Sequence, residues 1–193
     1  MTIGPTRSQH AEEVCEYVWL ALGAFDKSHV AAQGITDWQR DNDFSRNSLS
    51  AISEIVSYVE AFVVESLIKH ADLVSAEAPV PIAQIVMDSI TKPVEGSWAA
   101  RRRFIWLWLK VDLSGAAWWR RWMGFVEARN AWAHGQGSLT TRQQKDQQIR
   151  VEIRDAGLTL SGSRISGNPD DVRRCARSAV EVVDWIDQRV KRE

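Results

Sequence analysis

Cysteine is scarce in this chain: two in 193 residues, Cys15 and Cys175. They lie far apart and fit no metal-ligand spacing, which excludes a disulfide framework and a thiolate zinc site. No uncharged apolar run approaches the roughly 20 residues that a membrane span needs. The start, Met-Thr-Ile-Gly-Pro-Thr-Arg, has no hydrophobic targeting segment. These absences predict a protein of the reducing cytoplasm with no membrane partner. Histidine is also sparse. His10, His29 and His70 are scattered, and no acidic cluster flanks His134. No metal and no cofactor are therefore expected. Net charge is −1, so the total does not announce a polyanionic partner.

The distribution of charge does more. Residues 1–97 carry 6 basic and 14 acidic side chains, a net of −8. Residues 98–134 carry 7 and 2, a net of +5, and residues 135–193 carry 11 and 9, a net of +2. A local positive field gathers a polyanion even when the whole molecule is near neutral. Seven of the ten tryptophans, Trp98, Trp106, Trp108, Trp118, Trp119, Trp122 and Trp132, fall in the same basic stretch.

The length suits a single domain, 1–193, able to bury a core without staples. Apolar spacing by three and four predicts a helix over 7–31 through Val14, Val18, Ala21, Leu22 and Phe25. Polar residues 33–44 read as a connection, so 1–44 is expected as a helical extension and 45–193 as the core. A long helix is predicted from Ser45 to Leu73. Pro79 and Pro81 end that stretch, and Pro81 suits the first turn of a short helix to Thr91. Pro93 and Gly96 break the chain again. Helices over 97–110 and 116–134 follow, separated by Ser114-Gly115, with Gly135 and Gly137 as stops. Val151-Glu-Ile153 and Leu158-Thr-Leu160 alternate with period two around Gly157, which predicts a β-hairpin. Asn168-Pro169-Asp170-Asp171 opens a last helix, with an N-cap, a proline at N1 and acids in the first turn. Its inward face is Val172, Ala176, Ala179, Val180, Val183 and Ile186. The fold class expected is all-α: an antiparallel helical bundle with a small β-hairpin before the C-terminal helix.

Chemistry is proposed mainly by residues 125–135, Phe-Val-Glu-Ala-Arg-Asn-Ala-Trp-Ala-His-Gly. An arginine holds a phosphate that is gaining charge, and a histidine moves protons near neutral pH. At 100° per residue, Trp118, Phe125, Val126 and Ala133 fall within about 60° of Trp122, and Arg129 within about 20°. Arg129 thus points inward, while Asn130 and His134, an i,i+4 pair, sit on the flank of the stripe. An inward guanidinium needs an anionic partner. The long second helix offers Glu60, set in the stripe Ile52, Val56, Val59, Val63 and Leu67. Glu54 and Glu65 project the other way. Glu60 is therefore expected to position Arg129 or His134. A plain structural account also fits, because a histidine near a helix C-terminus complements the dipole and an inward Arg–Glu pair fixes packing. Spacing alone leaves both open.

The run Arg129-Asn130-x-x-x-His134 resembles the signature of the HEPN superfamily: Arg, then a polar residue, then His after four to six intervening positions. The motif ends a core helix, Gly135 follows the His, and a hairpin-like segment and a terminal helix come after. The upstream Ser57-Tyr-Val-Glu60-Ala-Phe-Val-Val resembles the helix that often supplies an acid in these bundles. The resemblance spans residues 45–193. It implies a homodimer with the site at the dimer cleft. It also implies a metal-independent endoribonuclease of a toxin–antitoxin or anti-phage system, with RNA as substrate and an antitoxin or other regulatory protein as possible partner. One subgroup is controlled by modification of a Tyr two residues after the His; here that position is Gln136.

RNA carries its own nucleophile, the 2′-OH. Cleavage needs that proton removed, the 5′-oxygen protonated and the charge on phosphorus stabilised. Histidine suits the proton steps and arginine the phosphate. Arg129 and His134 are thus the candidate catalytic residues, with Asn130 and Glu60 supporting them. Interleaved aromatic and basic side chains also stack bases and hold phosphates, which makes Arg102, Arg121, Trp119 and Trp132 candidates for RNA contact. The alternative is that the rings fill a core or interface and the arginines are solvated. Two further functions stay open: a non-catalytic HEPN module that binds RNA, a nucleotide or a partner, and a structural dimerisation unit.

Overall fold

The computed structural model describes residues 6–31, 37–76 and 79–191. Its central element is α2, Asp37–Ser75, in which Ile52, Ile55, Val56, Val59, Val63 and Leu67 are fully buried. Their three- and four-residue spacing makes one continuous apolar stripe. Helix α1, Gln9–Ala31, and helix α8, Pro169–Val190, both pack on α2 and on each other. On α8, Val172, Ala176, Ala179, Val183 and Ile186 are buried and Val180 is half-buried. An Asn168–Asp171 capping box starts α8, with a proline in its first turn. Helix α1 is part of this core rather than an extension of it. Val14, Val18 and Phe25 are buried, and Ser8 and Arg7 bond to Asp187 and Asp184 of α8.

Helix α3, Val80–Glu95, leans on α2 and α4. Helix α4, Trp98–Leu109, begins at Ser97, whose hydroxyl accepts the Ala100 N–H. A 3-10 turn, Leu113–Gly115, leads to the motif helix α5, Trp119–Gly135. Short helices α6, Thr141–Lys145, and α7, Gln147–Asp155, precede strands β1, Thr159–Ser161, and β2, Arg164–Ser166. The strands pair antiparallel, Thr159 with Ser166 and Leu160 with Ile165. The all-α bundle with a hairpin before its last helix is therefore present.

Three local expectations are corrected. Helix α2 begins at Asp37, eight residues before Ser45; the part of the expected connection at 33–36 lies outside the described residues. No Gly or Pro interrupts 37–44, so no helix breaker stops the helix there. Pro93 lies inside α3, not after it. It sits in the last turn, where one missing N–H costs little continuity. The hairpin is displaced. Val151 and Ile153 belong to α7, capped by the Asp146 carboxylate on the Gln148 N–H. Ile149, Ile153 and Ala156 are buried, a helical spacing that overrides the period-two alternation of 151–153. Gly157 (φ 79°) ends α7, and the hairpin turns at Gly162 (φ 60°).

Helix α5 is held on two sides. Trp122, Phe125 and Val126 are buried, as the stripe predicts. Ala133, assigned to the same stripe, is exposed, while Gly124, Ala128 and Ala131 are buried. The second buried face arises because α7 also packs on α5. A Cβ at Gly124 would overlap the Glu152 carbonyl oxygen, so only glycine allows this approach.

Candidate active site

Helix α5 presents Arg129 and Asn130 to a cavity of about 330 Å³. The Arg129 guanidinium donates from Nη1 to Asn130 Oδ1 at 3.2 Å. Its Nη2 lies 3.6 Å from Glu60 Oε2. Glu60 thus faces α5, as its place in the α2 stripe predicts, and Arg129 is the motif residue it pairs with. Glu54 and Glu65 are exposed.

The Glu60 carboxylate is shared. Its Oε1 accepts from Trp98 Nε1 at 2.9 Å and from Arg101 Nη1 at 3.0 Å. Arg101 also donates from Nε to the Val94 carbonyl at 2.9 Å. The Arg101 side chain is only 6% exposed and Glu60 16%, so this pair is largely desolvated and each member depends on the other. One carboxylate here faces two guanidinium groups. Arg101 has the shorter contact and a second acceptor; Arg129 has the longer contact and is 32% exposed. Of the two guanidinium groups, Arg129 is the less neutralised by Glu60; it stands at the wall of a cavity whose rim also carries the exposed Glu95.

A second buried carboxylate belongs to α5 itself. Glu127 Oε2 accepts from Gln143 Nε2 at 2.7 Å, and the same amide nitrogen donates to the Glu127 carbonyl at 2.9 Å. Arg142 covers Glu127 at 3.3 Å from solvent. Gln143 is placed for this by the capping box it makes with Thr140 at the start of α6. Met123 and Val126 give the cavity an apolar wall.

His134 stands apart. It is exposed in the last turn of α5, about 6 Å along the axis from Asn130, and does not line the cavity. The helix ends just beyond it, where Gln136 (φ 50°) and Gly137 (φ 90°) both take left-handed conformations. The Gln136 N–H bonds to the Trp132 carbonyl and the Gly137 N–H to that of Ala131. The left-handed site after Gly135 is thus filled by glutamine.

The four residues marked for RNA contact fare differently. Trp119 is 8% exposed and meets Trp98 edge-on at 6.0 Å, so it fills the core and does not border the cavity. Trp132 is half-buried against the core. Arg121 donates to Ser178 Oγ at 2.7 Å and to Glu181 at 2.6 Å, which braces α5 on α8. Arg102 is exposed but bonds to Asp112 at 3.1 Å and Ser114 at 3.2 Å. Trp98, Arg101, Glu127 and Arg142 join the site without having been marked in the sequence. The Arg101–Arg103 run held a signal for one of them: in a helix, one of three consecutive arginines can face inward where a carboxylate waits.

Among the described residues, no three His, Cys, Asp or Glu side chains are grouped to hold a metal ion. No described helix is long and apolar enough to cross a membrane. Compared with family models, curated proteins and solved structures, the chain matches none.

Proposed function

We propose that this chain is a metal-independent endoribonuclease of the HEPN type, acting as a toxin or anti-phage effector. One observation carries the reading. Arg129, held by Glu60 and Asn130, opens with its partly unneutralised charge onto a cavity, and His134 stands exposed one turn further along the same helix. The guanidinium offers fork-shaped, permanently charged contacts to a scissile phosphate. His134 serves the proton steps: removal of the 2′-OH proton and delivery of one to the departing 5′-oxygen. The products are a 2′,3′-cyclic phosphate and a 5′-OH. Within one chain the histidine lies outside the cavity. In a homodimer, two histidines meet at a shared cleft and divide the roles of base and acid. An antitoxin or other regulatory protein restrains such an activity in the cell.

The test is expression of wild type and His134→Ala with sequencing of 5′-OH RNA ends, followed by cleavage with purified protein in excess EDTA. Wild type cleaves in EDTA and His134→Ala does not. Undiminished cleavage by His134→Ala, or loss of wild-type cleavage in EDTA, overturns the reading.

A second reading has its own support. Arg129 already has two partners and His134 lies away from the cavity, which suits a non-catalytic HEPN module binding RNA, a nucleotide or a partner protein. In that case wild type and His134→Ala are equally toxic or equally harmless.

A further inference from the structure

We propose that the outer face of α4 is a binding track for single-stranded RNA that leads into the Arg129 cavity. Trp106 is its base-stacking platform, and Arg103 and Lys110 are its phosphate contacts. From the reading above this takes only the nature of the ligand, RNA.

The exposed positions of α4 include Ala99, Arg102, Arg103 and Trp106, which lie on one side of the helix, and the exposed Lys110 caps its C-terminal end. Residues 98–111 contain four basic side chains and no acid. Trp106 is 53% exposed and its neighbour Leu107 44%, whereas Trp98, Trp118, Trp119 and Trp122 are all buried. The Lys110 ammonium lies over one face of the Trp106 ring, 5.9 Å from the centre, so a base stacked there displaces the ammonium outward, toward the phosphate of the same nucleotide. Arg103 and Lys110 form no ion pair among the described residues. Asp112 lies at the same depression, and Arg102 offsets it at 3.1 Å.

Continuity with the candidate site is the second observation. A depression of about 430 Å³ is lined by Ala99, Arg102, Arg103, Trp106 and Asp112. Ala99 also lines the Arg129 cavity. Ala99 is the residue the two hollows share, and its small methyl side chain adds little bulk between them. Trp106 lies about 10 Å along the helix from Ala99, a span that a short single strand covers. Aromatic stacking with flanking cations is the chemistry by which single strands are held without sequence preference.

The experiment uses the full chain carrying His134→Ala, so that the probe is held rather than cut. The probe is a fluorescein-labelled 12-nucleotide oligouridylate, read by anisotropy across a salt series. Adding Trp106→Ala weakens binding about tenfold, while Trp106→Phe stays within about threefold. Adding Arg103→Ala weakens binding and lowers the slope of log affinity against log salt by about 0.7. Arg177→Ala, an exposed arginine of α8, stays within about twofold. The proposal is overturned if Trp106→Ala binds like its parent, if the parent binds no single strand, or if Arg177→Ala matters as much as Arg103→Ala. It is also overturned if light scattering shows Trp106→Ala dissociating a dimer with binding lost in step, because the face is then an interface between copies. Tight, Trp106-dependent binding by a protein that leaves RNA uncut sustains the track and removes the nuclease. Cleavage of RNA with no effect of Trp106→Ala does the reverse.

Discussion

Substituting Glu60 by glutamine tests the centre of the site directly. The amide keeps one oxygen able to accept from Trp98 Nε1 and Arg101 Nη1, which the carboxylate does at 2.9 and 3.0 Å. It removes the charge that compensates Arg101, whose side chain is 6% exposed, and the pairing of Arg129 at 3.6 Å. Breaking one side of a buried ion pair costs about 3–5 kcal/mol. The retained oxygen and the Val94 carbonyl on Arg101 Nε place Glu60→Gln near the lower end, about 3 kcal/mol. For a chain of this size that lowers Tm by roughly 6–12 °C. Arg101→Met alone leaves Glu60 with Trp98 Nε1 and the longer Arg129 contact and costs somewhat less, about 2 kcal/mol. The double variant leaves neither charge unpaired by the other, so its loss falls short of the sum by about 2 kcal/mol. Urea denaturation of the four proteins measures this cycle. Glu60→Gln within about 0.5 kcal/mol of wild type, or additive losses in the double variant, would refute the shared-carboxylate account.

Gly124→Ala drives a Cβ into the Glu152 carbonyl oxygen and must separate α5 from α7. Denaturation should show a loss of about 2–3 kcal/mol, and an unchanged midpoint would mean that the helices are not so close. Gln136→Gly relieves a left-handed glutamine and should raise stability by about 0.5–1 kcal/mol. Acid stability reports Asp187. Burial pushes its pKa up, but bonds from the Ser8 hydroxyl, Lys191 and the Ser8 N–H outweigh that and hold it below the ordinary 3.8. A lowered carboxylate pKa stabilises the fold above that value, and the contribution is lost as pH falls through the folded pKa. The stability gap between wild type and Asp187→Asn should therefore be full at neutral pH and close below about pH 4; a gap that is constant with pH refutes it. Asp171 acts in the opposite sense, since burial leads its pKa upward, which is why the comparison is made within the Asp187 pair.

The long elements were legible because their period is unambiguous. The α2 stripe fixed which face of the helix is buried and so placed Glu60 on it, and Asn168 and Asp171 declared the start of α8 by capping chemistry. The displaced hairpin shows where such reading stops. Val151-Glu-Ile153 is too short a run to separate period two from period 3.6, and Ile149 with Ala156 decides it only once α7 is packed on α5. The site was half legible for a related reason. Arg129, Asn130 and Glu60 meet through one helix and one stripe. Trp98 and Arg101 reach the same carboxylate from α4, and Gln143 and Arg142 reach Glu127 from α6; both depend on how separate elements are set against each other, which no local pattern encodes. Trp119 illustrates the converse. A position at the edge of the α5 stripe is buried because Trp98, from a separate helix, packs edge-on against it.

The placement of charge reconciles a nearly neutral chain with an anion site. Glu60 from α2 and Glu127 from α5 lie in space among the arginines of the most basic segment, and Glu95 of α3 also lines the cavity from its exposed rim, which at first sight defeats any positive field. Glu60 and Glu127 are nonetheless committed. Glu60 Oε1 is taken by Trp98 and Arg101, and Glu127 by Gln143 and Arg142. A carboxylate engaged in this way orients its partners and repels an incoming phosphate less than a bare one. Arg129 is the cavity arginine these contacts leave with the longest ion-pair contact, 3.6 Å to Glu60. Holding a cation in place by a carboxylate already satisfied elsewhere keeps it rigid without cancelling it. That is the condition under which a guanidinium stabilises charge that develops on a bound anion rather than merely closing a surface salt bridge.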